Sequence, residues 1–471
     1  MMRPLRSLRG RLGCAWLAAV LAGCATVTAD EAIDAARERT IRETGQPVAL
    51  ATSQAERDAI GVKVDQWLAA PLGADDAVRL ALAKSPALQA LLAEGWAAQA
   101  AAEQAGRIPN PRFAFERLVR GDEVELGRAI SFGLLDVLTL PLRREPARRA
   151  VQAEQLRLAA QVLETAHETR RQWVQAVTAE QRLAYQRQVL DAAEAGAELA
   201  RRMQAVGNFS RLQRARQQMF EAEAKQQLAR AQVQAAAERE ALVRRLGLDA
   251  VQAERLQLPE RLPELPAAPR DAADVAAAAG EQRLDLQIAQ LQWMRAGGNA
   301  SLVRAASWSD IELKGMRNSE TGLPPQRGWE IDITLPLFDL GDARRAAASA
   351  AEIAALNRLE QAQIDAGSVL RERYAAHRVA WDLARQHRDE VVPLAKAISE
   401  EMLVRYNGML SGVFELLADA RSYAATVIAA LDAQRDFWIA DAALQAAVIG
   451  VATPGAALSA GSTAAASGEE H

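Results

Sequence analysis

The sequence predicts a mainly α-helical chain built as a two-fold internal repeat, with a small membrane-type β part of four strands. Three observations predict it. Leu138-Thr139-Leu140-Pro141-Leu142 returns almost unchanged as Ile333-Thr334-Leu335-Pro336-Leu337, 195 residues further on. Each copy closes a run with a period of two, the mark of a strand with one apolar and one polar face. Val124, Leu126, Ile130, Phe132 and Leu134 share one parity of the first run, and Trp329, Ile331, Ile333 and Leu335 one parity of the second. Each copy then leads, through its proline, into a very long Ala/Arg/Glu/Gln-rich stretch of helix-forming composition, from Arg143 and from Asp342.

The 471 residues are half hydrophobic but only 4% aromatic, and much of the apolar share is alanine. Alanine-rich faces suit close helix–helix contact better than a thick globular core. A formal charge of −4 with no lysine-rich patch argues against a nucleic-acid partner.

Residues 1–23 read as a lipoprotein signal peptide. Arg3, Arg6, Arg9 and Arg11 form a positive leader, and Leu12 to Leu21 is an apolar run too short to span a bilayer. It ends in Leu21-Ala22-Gly23-Cys24, which resembles the lipobox of bacterial lipoproteins, so Cys24 is expected to carry a lipid (palmitate among its acyl chains) and to begin the mature chain. Cys14 would be removed with the leader, leaving no cysteine pair. Ala25 is compatible with the outer membrane, because the retention signal that lipobox proteins use for the inner membrane is an aspartate there.

Residues 24–72 form an N-terminal segment with one expected helix, Glu31–Arg42, followed by loop. The first repeat covers 73–257. A helix from about Asp75, broken and restarted at Ser85-Pro86, runs to Gly106 and stops at Ile108-Pro109-Asn110-Pro111. A first strand carries Phe113, Phe115 and Val119 on one side, Arg120-Gly121-Asp122 turns the chain, and a second strand runs to Leu140. Arg143 to about Val206 is then one helix of about 60 residues, about 90 Å long. No compact domain buries such a helix; a bundle or coiled coil must. Val162, Ala166, Trp173, Val177, Leu183, Leu190, Ala193 and Ala197 mark its seam. Gly207-Asn208-Phe209-Ser210 turns the chain into a return helix capped by Gly247. Residues 258–270, rich in proline, link the halves.

The second repeat, 271–450, follows the same order. A helix from Asp271 is expected to end at Gly297-Gly298, a third strand to cover Leu302–Leu313, and a loop to span Met316–Gln326 before the Trp329 strand. A continuous helix from Asp342 to Tyr406 shows two apolar seams, one through Leu359, Ala366 and Leu383 and one through Leu370, Tyr374 and Trp381, and so packs on both sides like a stave. Asn407–Gly412 turns the chain, and the last helix ends near Gly450. Residues 451–471, Ala/Ser/Gly-rich without periodicity, read as a disordered tail. Four strands cannot close a membrane barrel and an open sheet edge is not viable in lipid, so strands that cross a bilayer must be pooled between chains.

This order, with Asn110-Pro111, the doubled Thr-Leu-Pro-Leu and the two turns, resembles the TolC outer membrane factor family over roughly residues 72–450. The run from Arg202 through Gly207 to Ser210 looks like one helical tip of that family, with one extra residue between Arg202 and Gly207. Arg405-Tyr406-Asn407-Gly408 through Phe414-Glu415-Leu416-Leu417 looks like the other, with Gly408 one position early and Gly412 in place of a serine. The resemblance implies a homotrimer whose twelve strands make one outer-membrane β-barrel and whose helical hairpins make a hollow α-barrel across the periplasm. It implies an exit duct for a tripartite efflux system, lipid-anchored in the outer membrane. The tips Gly207, Asn208, Ser210, Gly408 and Gly412 would contact a periplasmic adaptor (membrane fusion protein), itself coupled to an inner-membrane pump of RND type. Glu415, with Asp419 one place off the family position, would form carboxylate rings at the periplasmic gate. The same architecture also serves type I protein secretion, and a periplasmic coiled-coil scaffold is the non-channel alternative. No enzyme is expected and no cofactor or metal: His167, His377, His387 and His471 have no ligand spacing, and neither a phosphate loop nor a nucleophile elbow occurs.

Overall fold

A computed structural model describes residues 27–306 and 310–451. The N-terminal segment forms α1 (Ala29–Thr44) and α2 (Gln54–Trp67). The second of these was expected to be loop. Its start was nevertheless written in Ser53-Gln54-Ala55-Glu56, a capping box in which Ser53 Oγ accepts from the Glu56 N–H and the Glu56 carboxylate accepts from the Ser53 N–H. α3 (Ala74–Lys84) and α4 (Pro86–Gln104) are divided at Ser85-Pro86, as proline at a first helical position requires.

The strands β1 (Arg112–Arg120) and β2 (Glu123–Gly133) follow, then a short helix α5 (Leu134–Leu138) and α6 (Leu140–Ala205), 66 residues and about 100 Å long. β2 stops at Gly133, short of the expected Leu140: Leu138 ends α5, Thr139 is the turn between the two helices, and Leu140-Pro141 open α6. Pro141 sits where a helix has no use for its N–H, and Thr139 Oγ1 donates to the Leu135 carbonyl instead of joining a ladder. The chain returns through α7 (Arg211–Leu246) to Gly247, which holds φ 68°, and α8 (Ala250–Arg255). The proline-rich linker has no helix or strand yet is held down: its Pro266 carbonyl accepts from Trp381 Nε1 at 3.1 Å, and Pro263 from Trp438 Nε1 at 3.2 Å.

The second half supplies α9 (Ala272–Gln282), α10 (Leu284–Ala306), β3 (Ile311–Glu320), β4 (Gln326–Ile333) and α11 (Asp342–Gln386). A π-helical turn at His387–Val391 connects to α12 (Val392–Asn407), and α13 (Val413–Ile449) closes the chain. Gly297-Gly298 does not end a helix. α10 runs through it, and a Cβ on Gly298 would lie 2.7 Å from Pro146 Cγ, so the glycine admits close packing of α10 on α6. β3 therefore begins at Ile311 rather than Leu302 and runs on to Glu320, into the first part of the expected Met316–Gln326 loop. The helix expected to be continuous to Tyr406 widens at His387–Val391, because the ring of Pro393 would clash with the carbonyl four residues back in a regular α-helix.

The four strands form one antiparallel meander in the order β1-β2-β3-β4, so β1 and β4 are its free edges. Two apolar clusters organise the helices. Ile33, Val78, Leu82, Leu88, Leu92, Leu158 and Val162 join α1, α3 and α4 to α6, and Leu68, Leu80, Trp173, Val177, Leu242 and Leu246 join α2, α3, α6 and α7. Both lie at mid-length of α6, leaving the sheet and the far helical turns at the two ends. Among the described residues no helix is long and apolar enough to cross a membrane.

Candidate functional site: helical tips and amphipathic sheet

At the first tip, α6 unwinds over Val206 and Gly207. Gly207 takes φ 83°, a left-handed conformation that favours glycine, and the Asn208 N–H donates to the Met203 carbonyl at 2.8 Å. Ser210 then starts α7 with a reciprocal capping box to Gln213. The second tip is built differently. Gly408 has φ −79° and no conformational need for glycine; Met409 takes the left-handed conformation at φ 61° and is 94% exposed. Gly412 precedes α13 in an extended conformation with open space around it.

The structure brings the two tips together. The Phe209 and Phe414 rings stack at 4.6 Å, and Leu417 lies against Gly196, where a Cβ would come within 3.1 Å. Arg421 lies over the Phe220 ring at 4.1 Å and donates to Gln217 Oε1 at 3.0 Å. Sequence reasoning assigned no role to this aromatic joint; its only signal was one phenylalanine in each turn. Glu415 is exposed on the first turn of α13. Asp419, one turn on, is half-buried, and its Oδ2 is covered without a hydrogen-bond partner. Cys24, the 1–23 leader and residues 452–471 lie outside the described residues.

Nearer the middle of the long helices, charged groups are locked between elements. Asp441 on α13 accepts from Arg270 Nε at 2.8 Å and Gln445 Nε2 at 2.6 Å, and His377 Nε2 stands 3.4 Å away. Burial alone would raise the Asp441 carboxyl, but the hydrogen bonds from His377 and Arg270 outweigh it and hold it at about 2. On α6, burial and then the neighbouring Arg170 push His167 down to about 4, and its Nε2 has no partner.

At the opposite end, the strand register sorts side chains by chemistry. Phe113 is opposite Ile130, Ile130 opposite Gly315, and Gly315 opposite Trp329; Phe132, Leu313 and Ile331 form the next row on the same face. These are large apolar groups left in the open: Phe113 is 67% and Trp329 74% exposed. The other face carries the acids Glu116, Glu123, Glu125, Glu312, Glu320, Glu330 and Asp332, with the pair Lys314–Glu330 at 3.2 Å. Beside the sheet, Leu335, Leu337, Phe338 and Leu340 prolong the exposed apolar zone toward the helices.

No protein-family profile and no curated protein matches the chain. Solved structures do. The CmeC outer membrane channel of Campylobacter jejuni superposes with a TM-score of 0.69 at 14% identity, over 80% of this chain and 85% of that one. The fold is that of the TolC-like outer-membrane channels. The outer-membrane channel OprN gives 0.67 at 17% identity over 80% and 90% of the two chains. The open state of the Neisseria gonorrhoeae MtrE outer membrane channel gives 0.65 at 20% identity over 80% and 89%. The sheet stands at one end of the long helical hairpins and the Phe209–Phe414 joint at the other.

Proposed function

We propose that this protein is an outer-membrane channel, the exit duct of a tripartite efflux system, working as a homotrimer. The observation that carries it is the sheet: one face apolar and exposed, the other acidic, both edges free. Such a sheet is stable neither in water, where its apolar face is exposed, nor alone in lipid, where its edges are unsatisfied. Three copies joined edge to edge remove both problems with twelve strands. The helices support the same assembly. Ile353, Ile364, Val379, Leu383, Leu394 and Ile398 leave one side of α11–α12 apolar and uncovered, as do Leu212, Met219 and Val233 on α7. Head-to-tail contact of these unlike surfaces closes a ring when its rotation closes.

In this reading Cys24 bears the lipid anchor. The paired tips, Gly207 to Ser210 and Gly408 to Gly412, meet a periplasmic adaptor coupled to an inner-membrane pump, and Glu415 with Asp419 lines the gate. The experiment is extraction of the full chain from outer membranes in detergent. Its expected behaviour is that of a heat-labile trimer which opens pores in a planar bilayer. A monomer without pore activity refutes the channel.

A further inference from the structure

Resting on the outer-membrane channel reading, we propose that the apolar face of the sheet carries a built site for a lipid with a phosphorylated head group. The register places Arg128 directly opposite Arg317, and Arg317 directly opposite Arg327. Three guanidinium groups thus stand side by side on adjacent strands, across two strand spacings of about 5 Å each. Arg117 joins them on the same face, two residues nearer the turn end of β1, opposite Leu126. All four side chains are exposed, and none makes an ion pair or side-chain hydrogen bond with any described residue.

This arrangement opposes itself. Like charges directly opposite on neighbouring strands repel, and arginine on a lipid-facing position is costly unless it lies at an interface. No described residue relieves either cost. The strand positions on this face hold no acidic residue, whereas the other face holds seven acids. A neighbouring copy therefore cannot supply the counter-charge from its own strands either. An anion from outside must.

The position of the row selects the source of that anion. Toward the helices lie the apolar rows of Phe113, Ile130 and Trp329 and of Phe132, Leu313 and Ile331; toward the sheet's own turns, at Gly121 and Gly322, lies the end of the protein farthest from the helices. Beyond the row on this face lie only Arg117, Leu126, Ser319 and the pair Val119–Val124 before the turn, so the arginines stand near the outer end of the apolar belt, at the depth where acyl chains give way to head groups. Arginine's planar fork matches phosphate bidentately, and long side chains reach outward from apolar surface to a charged partner. A phosphorylated lipid has both parts required, chains for the phenylalanine and tryptophan rows and phosphates for the arginine row, and it occupies this face of the sheet on each copy.

The test uses the full-length protein in nanodiscs whose outer-leaflet glycolipid carries its phosphates, compared with the same glycolipid after phosphatase treatment. Native mass spectrometry counts the lipid retained. Wild type is expected to hold the phosphorylated lipid at least tenfold more than the dephosphorylated one. R317Q, and more strongly R128Q/R317Q/R327Q, should lower retention about tenfold, R128K/R317K/R327K, which keeps the charge without the fork, should restore only part of it, and K314Q on the opposite face should leave it unchanged. Equal retention of the two lipids by wild type overturns the proposal, and that arm stands even if the triple variant fails to assemble. Unchanged retention in R317Q and the triple variant overturns it as well, as does loss of the trimer with lipid retention intact, which assigns the row to contact between copies. Pore formation in a planar bilayer is measured on the same samples: pores without phosphate preference overturn the lipid site and leave the channel standing, whereas absence of pores overturns both.

Discussion

Each repeat ends its last long helix in a left-handed glycine jammed against the restart of an earlier helix. A Cβ on Gly247 would collide with Pro86 Cδ and come within 3.1 Å of Ser85 Cα; a Cβ on Gly450 would collide with the Asp285 carboxylate, its Cγ at 2.8 Å and the Leu284 nitrogen at 3.1 Å. Gly45 has nearly the same φ, 69° against 68°, with nothing within 4 Å. The pair separates two costs. Gly45→Ala meets only the left-handed strain, about 1–2 kcal/mol, partly offset by the lower entropy of the unfolded chain. Gly247→Ala meets the same strain plus overpacking against proline and backbone, which give little, about 1–3 kcal/mol more. The chain is long and assembled, so one global unfolding free energy is not defined. Hydrogen exchange at the last turn of α7 and at the start of α4, where the Gln89 N–H donates to the Ser85 carbonyl, reads the local cost instead. With the two costs together about 2–5 kcal/mol, and 1.4 kcal/mol per factor of ten, opening there should become about thirty- to a few thousandfold more frequent in Gly247→Ala. Gly45→Ala should leave both sites at the wild-type rate and raise exchange only at the end of α1. If Gly247→Ala leaves exchange at both sites at the wild-type rate, the close approach is not what holds the repeat together.

Ile364→Lys, in the uncovered row of α11, should shift the detergent-solubilised protein from trimer to monomer in sedimentation while its helical circular dichroism persists. Acid should destabilise the helical body in two stages. His167 has a folded pKa below its unfolded one, so its contribution is complete above pH 6.5 and is lost as pH falls toward 4, about 3 kcal/mol; Asp441, also depressed, loses about 2 kcal/mol between pH 3.8 and 2. His167→Gln should flatten the first stage and leave the second in a pH series of thermal unfolding. Glu415→Ala together with Asp419→Ala should reduce cation selectivity and divalent block in planar-bilayer recordings; unchanged values leave these residues as acids at a helix start. Phe209→Ala should cost about 1 kcal/mol at the tip joint and raise proteolysis at both turns together, since one ring holds both.

The sequence by itself determined the elements whose signals are local. Period two wrote β1, β4 and the body of β2 but misplaced β3, where alternation is poorer; Ser85-Pro86 wrote the break between α3 and α4, and Gly207, Gly247 and Gly450 wrote their helix ends, because each depends on one residue's own φ preference or on alternation along a few neighbours. The doubled Thr-Leu-Pro-Leu wrote the repeat. It did not write the same structure twice: after β2 the motif is helical and after β4 it is not, because five residues do not fix a conformation that their packing decides. Gly297-Gly298 carried the signal of a helix end, and tertiary contact with Pro146 turned it into a packing site. The same limit applied to function. The acids near the second turn were legible as types and spacings, but the Phe209–Phe414 joint required two turns about 200 residues apart to meet. The arginine row was invisible for the same reason: Arg128, Arg317 and Arg327 become neighbours only when hydrogen bonds between strands set the register, and register belongs to the sheet rather than to any one strand.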